Sequence, residues 1–138
     1  MLTPEDIRQY YSTRDALCRH FGIELVEMDE ERCVTLMPLD DRHRNGMGKA
    51  HGAALFAQMV ITFGMLTSSD GAYRTSAQTS VSFLAPGVSG PFRCEARAIR
   101  AGRKLGAYDL RLTDAEGTLV AVATVTGYAT GAPLPVER

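Results

Sequence analysis

The sequence predicts an α+β domain in which an antiparallel β-sheet wraps around one central helix. Three observations carry this expectation. The segments follow the order helix, two strands, buried helix, four strands. The stretch from Ala53 to Leu66 is apolar nearly all the way round, interrupted only by Gln58 and Thr62, so its helix must be enclosed on most sides. In "SAQTSVSFL", Ala77, Thr79, Val81 and Phe83 alternate with Gln78, Ser80 and Ser82, which is the period of a strand.

Each element has its own signal. "LTPEDIRQYYSTRDALCRHFG" opens with Thr3 as N-cap and Pro4 at the first helical position, and closes on His20 and Gly22. It reads as one helix of about four turns over residues 1–21. "IELVEMDEERCVTLMP" reads as two strands around the acidic turn Asp29-Glu30. The central helix is expected over residues 51–68. Four strands follow, in "AYRTSAQTSVSFLAP", "GPFRCEARAIRAG", "KLGAYDLRLTDAEG" and "TLVAVATVTGYAT", with turns at Pro86-Gly87, Ala101-Gly102 and residues 114–117. Residues 131–138, with two prolines and two terminal charges, are expected to form a flexible tail.

Composition narrows the function. At 138 residues and 45% hydrophobic, the chain suits a single domain over residues 1–138. Fifteen basic against sixteen acidic residues leave a net charge of -1, which points to no nucleic acid and no anionic membrane surface. The fourteen-residue apolar run falls short of the roughly 20 residues a membrane span needs. Cys18, Cys33 and Cys94 are odd in number and far apart. They suit neither a disulfide framework nor a metal site, and the charged N-terminus lacks a signal-peptide core, so a cytoplasmic protein is expected.

The stretch "HRNGMGKAHGAALF" concentrates the chemistry. Asn45-Gly46 is a turn former and Gly48 allows a second bend. His51-Gly52 stands where the apolar helix begins. The first N–H groups of a helix have no intrahelical partner and lie at the positive end of its dipole, so they suit an anion or a carbonyl gaining negative charge. Gly52 has no side chain to block that approach. Taken singly, each of these residues is equally well a turn or cap residue. His20 and His43 read as surface residues.

Together with the helix behind it and with "SAQTSVSFLAPG", this stretch resembles the hotdog-fold thioesterases, especially the PaaI-type acyl-CoA thioesterases. Their N-G-x-x-x-x-H-G-G pattern, helix and F-L-x-P turn recur here in order between Gly22 and Thr130. The resemblance implies a hotdog fold and a homodimer, or a dimer of dimers, with active sites at the subunit interface. It implies an acyl thioester as small-molecule partner, coenzyme A as part of the substrate, and no further cofactor or metal. By the same resemblance Gly52 N–H polarises the thioester carbonyl, Asn45 helps place the water or carboxylate, His51 matches the family's histidine and Ser76 assists.

The pattern breaks at two places: the second glycine of H-G-G is here Ala53, and the second break removes a chemical group. The family's helix carboxylate, nine residues after the histidine, is here Val60, and no Asp or Glu lies between Asp41 and Asp70. Valine can neither take a proton nor attack a carbonyl. Gln58 and Thr62 stand about 200° away around the helix and do not replace it. Asp41 in the loop and His51, whose intrinsic pKa lies near neutrality, are the two substitutes. The basic hairpin "RAIRAGRKLG" is ordinarily a solvated tip, but by the resemblance Arg103 and Lys104 would meet coenzyme A phosphates, with Arg93 a weaker candidate. Phe56, Met59, Phe63 and Met65 suit core packing better than an acyl tunnel. Three functions are therefore carried forward: an acyl-CoA thioesterase with an atypical base, a non-catalytic acyl-CoA binder, and, weakest, a dehydratase or hydratase.

Overall fold

The computed structural model describes residues 1–136. Helix α1 (Pro4–Arg14) starts where Thr3 and Asp6 cap each other: Thr3 Oγ1 accepts from Asp6 N at 3.1 Å, and Asp6 Oδ2 accepts from Thr3 N at 2.8 Å. The single N-terminal helix expected from the sequence is two. Asp15 leaves the helical conformation at φ -98°, ψ 101°, closes α1 and caps α2 (Ala16–Phe21) through Cys18 N–H. Gly22 then stops α2 in the left-handed conformation, φ 66°.

Strands β1 (Glu24–Met28) and β2 (Arg32–Met37) form the expected hairpin. A single 3-10 turn over Asp41–His43 leads to α3 (Gly52–Thr67), the central helix. Then come β3 (Ala72–Phe83), β4 (Phe92–Ala101), β5 (Leu105–Thr113) and β6 (Leu119–Pro133). The six strands form one antiparallel sheet in the order β1-β2-β4-β5-β6-β3, with α3 packed across β2, β3, β4 and β5. The class is α+β, as the segment order predicts.

The core lies between that helix and the sheet. Met59, Phe63 and Met65 are buried against Phe92, Leu110, Leu112 and Val125. Phe63 meets Tyr108 edge-on with ring centroids 5.1 Å apart. Gly127 keeps that place open, since a Cβ there would stand 2.9 Å from Phe63 Cζ. Three of the four large apolar residues singled out on α3 are thus core. Phe56, 37% exposed, is not.

Gln58 and Thr62, the two polar residues in the middle of α3, face the sheet, away from Val60. Gln58 Nε2 donates to Phe92 O at 3.0 Å and to Thr35 Oγ1 at 3.2 Å. Thr62 Oγ1 donates to Gln58 O at 2.6 Å and lies 2.7 Å from Thr35 Oγ1. Gln58 Oε1 is buried with no hydrogen-bond partner among the described residues.

Two further expectations need correcting. β6 continues to Pro133, and Leu134 is buried, its N–H bound to Gly71 O at 2.8 Å, so residues 131–134 are held by the fold. Of the predicted tail, residues 137–138 lie outside the described residues. His43 is wholly buried, not a surface residue. Its Nδ1 accepts from Asp40 N at 3.1 Å, which leaves the proton on Nε2 to be donated to Phe21 O at 2.8 Å. A partly buried backbone carbonyl and a partly buried N–H needed one side chain able to accept and donate, and this loop histidine meets both.

β3 stands at the sheet edge, and none of its residues is fully buried. The alternation in its sequence holds in the middle, with Thr79 and Val81 half-buried and Gln78, Ser80 and Ser82 exposed, but Ala77 and Phe83, expected on the covered face, are exposed. Its apolar face is only partly covered within the chain.

Candidate active site

The loop ahead of α3 is closed by an antiparallel bridge between Arg44 and Ala50. Inside it, Asn45 Oδ1 accepts from Met47 N at 2.9 Å and Lys49 N at 3.2 Å, while Asn45 N donates to Lys49 O at 2.7 Å. The Asn45 carbonyl oxygen is therefore committed to its own turn, and the side-chain NH2 is the part left for a ligand.

His51 is the N-cap of α3. Its Nδ1 accepts from Ala53 N at 3.0 Å, and its backbone oxygen accepts from Ala54 N and Leu55 N. An imidazole whose Nδ1 accepts an N–H carries its proton on Nε2. The lone pair a base would use is thus taken, and His51 presents a donor.

That cap leaves Gly52 N–H as the donor at the helix start with no acceptor among the described residues. Gly52 is half-buried, and a Cβ on it would face the Phe83 ring at 3.5 Å. Helix start, absent side chain and unpaired N–H together make a site for an oxygen gaining negative charge.

Val60 and Ser76 come together elsewhere. They line one cleft of about 180 Å³ with Tyr11, Asp15, Gly64 and Tyr73, floored by Ile61 and Phe63. The sheet register shifts between Ser76 and Gln78, a bulge directly after the serine. Tyr11 and Gly64 set the cleft's depth, since a Cβ at Gly64 would lie 2.5 Å from Tyr11 Oη. A neighbouring apolar groove of about 210 Å³ runs along α3 past Ala53, Phe56, Ala57 and Val60 to Leu17.

Gly52 and Val60 are eight residues apart, about 12 Å along the helix, so within one chain they do not converge. Asp41 is fully exposed, 3.8 Å from Arg44 Nε, and lines neither the cleft nor the groove. Arg103 and Lys104 are exposed at the β4–β5 turn, which Arg74 reaches through Gly102 O at 3.3 Å. Arg93 lies eight residues back along β4, roughly 26 Å away, and is engaged with Glu95, so it does not join them. Among the described residues no three His, Cys, Asp or Glu side chains gather to hold a metal ion, and no helix is long and apolar enough to cross a membrane.

Sequence reasoning missed Asp15 and Tyr11. The available signal was the Asp-Ala-Leu-Cys run after Ser12-Thr13, a cap pattern in the middle of a helix-forming stretch.

Comparison with known proteins agrees with this architecture. The acyl-coenzyme A thioesterase PaaI of Escherichia coli is 28% identical over 109 residues, 78% of either chain. The structure of the E. coli PaaI protein superposes with a TM-score of 0.86 at 24% identity, covering 95% of this chain and 98% of that one. A Streptococcus mutans protein solved with acetyl-CoA bound superposes with a TM-score of 0.75 at 25% identity, over 80% of this chain and 90% of that one. The family model described as the thioesterase superfamily matches residues 47–121, from the loop before α3 into β6 and more than half of the sequence. With its helix wrapped by an antiparallel sheet in the hotdog manner, the chain belongs to the thioesterase superfamily.

Proposed function

We propose that this protein hydrolyses acyl-coenzyme A thioesters as a homodimer whose active sites are each built from two chains. The observation that carries this is the unpaired, unobstructed Gly52 N–H at the positive end of α3. A thioester carbonyl placed there gains hydrogen bonding as negative charge grows on its oxygen during attack by water. The cleft around Val60 and Ser76 lies about 12 Å further along the same helix, too far to serve a carbonyl at its own chain's Gly52. A second copy brings its cleft to that carbonyl, and the edge strand β3, with its half-covered face, is the surface on which such a copy would dock.

The remaining roles follow. The NH2 of Asn45 and Nε2–H of His51 are donors near the helix start, and Ser76 offers a hydroxyl beside the cleft. Coenzyme A enters as part of the substrate, with Arg103 and Lys104 as cations for its phosphates, and no further cofactor is needed. The cytoplasm, where acyl-CoA is made and used, is the compartment this reading requires.

Val60 favours a second reading, a protein that binds acyl-CoA without turning it over, because general base catalysis by a missing group is worth about 10² to 10⁴ in rate. Thiol release from a panel of short, long and aromatic acyl-CoAs separates the two. Turnover by the wild type that falls about 10² to 10³-fold in Gly52→Pro supports hydrolysis at this site. Proline at the first helical position keeps the helix and removes the N–H, and His51 already has the extended backbone that precedes proline (φ -66°, ψ 135°). Because its ring also adds bulk, Gly52→Ala, which keeps the N–H and places a Cβ 3.5 Å from Phe83 Cζ, is the steric control and should retain more activity. Tight binding without turnover, with hydrolysis appearing in Val60→Asp, would establish the binder instead.

A further inference from the structure

We infer that Asp15 is the general base of this protein, supplying from the α1–α2 junction the carboxylate that position 60 of α3 lacks; the inference rests on the thioesterase reading above. Asp15 is the one acidic side chain among the residues lining the cleft that holds Val60 and Ser76. Helix register explains how it arrives there. Tyr11 packs on Gly64. Asp15 is one turn beyond Tyr11, Val60 one turn before Gly64, each about 6 Å along its helix, and both border the same cleft.

The carboxylate is held and available. Oδ1 accepts from Cys18 N at 2.9 Å, which fixes the side chain, while Oδ2 has no hydrogen-bond partner among the described residues. Arg74, the cation at the cleft rim, is occupied by Asp70 at 3.1 Å and by Gly102 O at 3.3 Å, so Asp15 is not neutralised by it. Val60, Ile61 and Phe63 give an acyl carbonyl and one water an apolar seat in the cleft that Asp15 borders.

The step balances with water and thioester alone. As the water oxygen bonds to the thioester carbon, Asp15 takes one of its protons. The tetrahedral oxyanion, held at Gly52 N–H of the second copy, then collapses with cleavage of the C–S bond. The proton on Asp15 passes to the leaving sulfur, giving a carboxylic acid and the free thiol.

The test is Asp15→Asn, assayed by thiol release alongside acyl-CoA binding and thermal melting. Asparagine caps a helix as well as aspartate, so α2 keeps its cap and only the base is removed. We expect kcat to fall about 100-fold or more, with KM, binding and melting temperature little changed. We also expect Val60→Asp, placed in the Asp15→Asn background, to return at least about a tenth of the lost rate. A merely structural Asp15 would show neither the kcat-only loss nor that rescue. Turnover by Asp15→Asn within about threefold of wild type would overturn the assignment and leave the thioesterase reading standing. So would a loss of rate matched by a loss of binding or melting temperature, or a folded, binding-competent Asp15→Asn that Val60→Asp does not restore. A wild type that releases no thiol from any acyl-CoA would overturn the thioesterase reading, and Asp15 with it.

Discussion

Replacing Gly64 with alanine tests whether α1 is seated on α3 as closely as the structure places it. The new Cβ would stand 2.5 Å from Tyr11 Oη, about 0.9 Å inside ordinary contact at 3.4 Å, and Tyr11 is buried, so its ring must shift. Overpacking of this kind costs about 1–3 kcal/mol, against which alanine gains about 1 kcal/mol over glycine inside a helix. The expected net loss is about 1 kcal/mol, or roughly 3 °C in Tm for a chain of this length. In a Tyr11→Phe background the clash disappears, because the next ring atom, Cζ, is 3.5 Å from that Cβ. There Gly64→Ala should stabilise by about 1 kcal/mol, so the two changes couple by about 2 kcal/mol. Chemical denaturation of the four proteins in the cycle reads this directly. Equal effects of Gly64→Ala in both backgrounds, within about 0.5 kcal/mol, would refute the seating of Tyr11 on Gly64 and the cleft depth drawn from it.

Two further predictions concern ionisable groups. Burial pushes the thiols of Cys18 and Cys94 up to about 12 and that of Cys33 higher still, so a thiol-reactive dye at pH 8 should find none of the three in the native protein and all three after denaturation; reaction at the rate of a free cysteine would contradict their burial. The Arg42 guanidinium and backbone N–H hold the Asp40 carboxyl well below the usual carboxylate range. A carboxyl depressed by folding stabilises above its unfolded pKa of about 4 and loses that contribution as pH falls through its folded value. Acid unfolding followed from pH 5 to pH 2 should therefore be less steep in Asp40→Asn, and identical slopes would contradict the pairing.

How much could be read beforehand depended on whether the signal was local. Thr3-Pro4, the period-two run before Phe83 and the enclosed apolar stretch each act over a few residues, and each gave an element close to its true bounds. The sequence expectation carries one helix through residue 15 because Arg14, Ala16 and Leu17 are good helix formers, and the cap that breaks it is a single side chain, Asp15. His43 was misplaced for the opposite reason: the loop around it is polar, but what buries the imidazole is a pair of backbone groups, Asp40 N and Phe21 O, the latter 22 residues away. The loop and helix start of the site were legible because Asn45, His51 and Gly52 are neighbours in sequence. The cleft was not, since it joins α1, α3 and β3, and no periodicity reports which turn of one helix lies over which turn of another.

The buried cluster of Gln58, Thr62 and Thr35 settles a question that apolar packing leaves open. A cylinder greasy on nearly every side can turn about its own axis and still find apolar neighbours, so burial alone chooses no angle for α3. Gln58 and Thr62 share one side, and they meet Thr35 and Phe92 O only when that side looks onto the sheet. A rotation by one residue, 100°, would strip the Gln58 amide of its sheet partners and leave it buried and unbonded, at a cost of several kcal/mol, while Thr62 would keep only its bond to Gln58 O within the helix. The polar pair therefore acts as an index pin. It dials the opposite face of the helix, Val60 and Gly64, toward α1, so that a hydrogen bond on the sheet side decides what a ligand meets on the other.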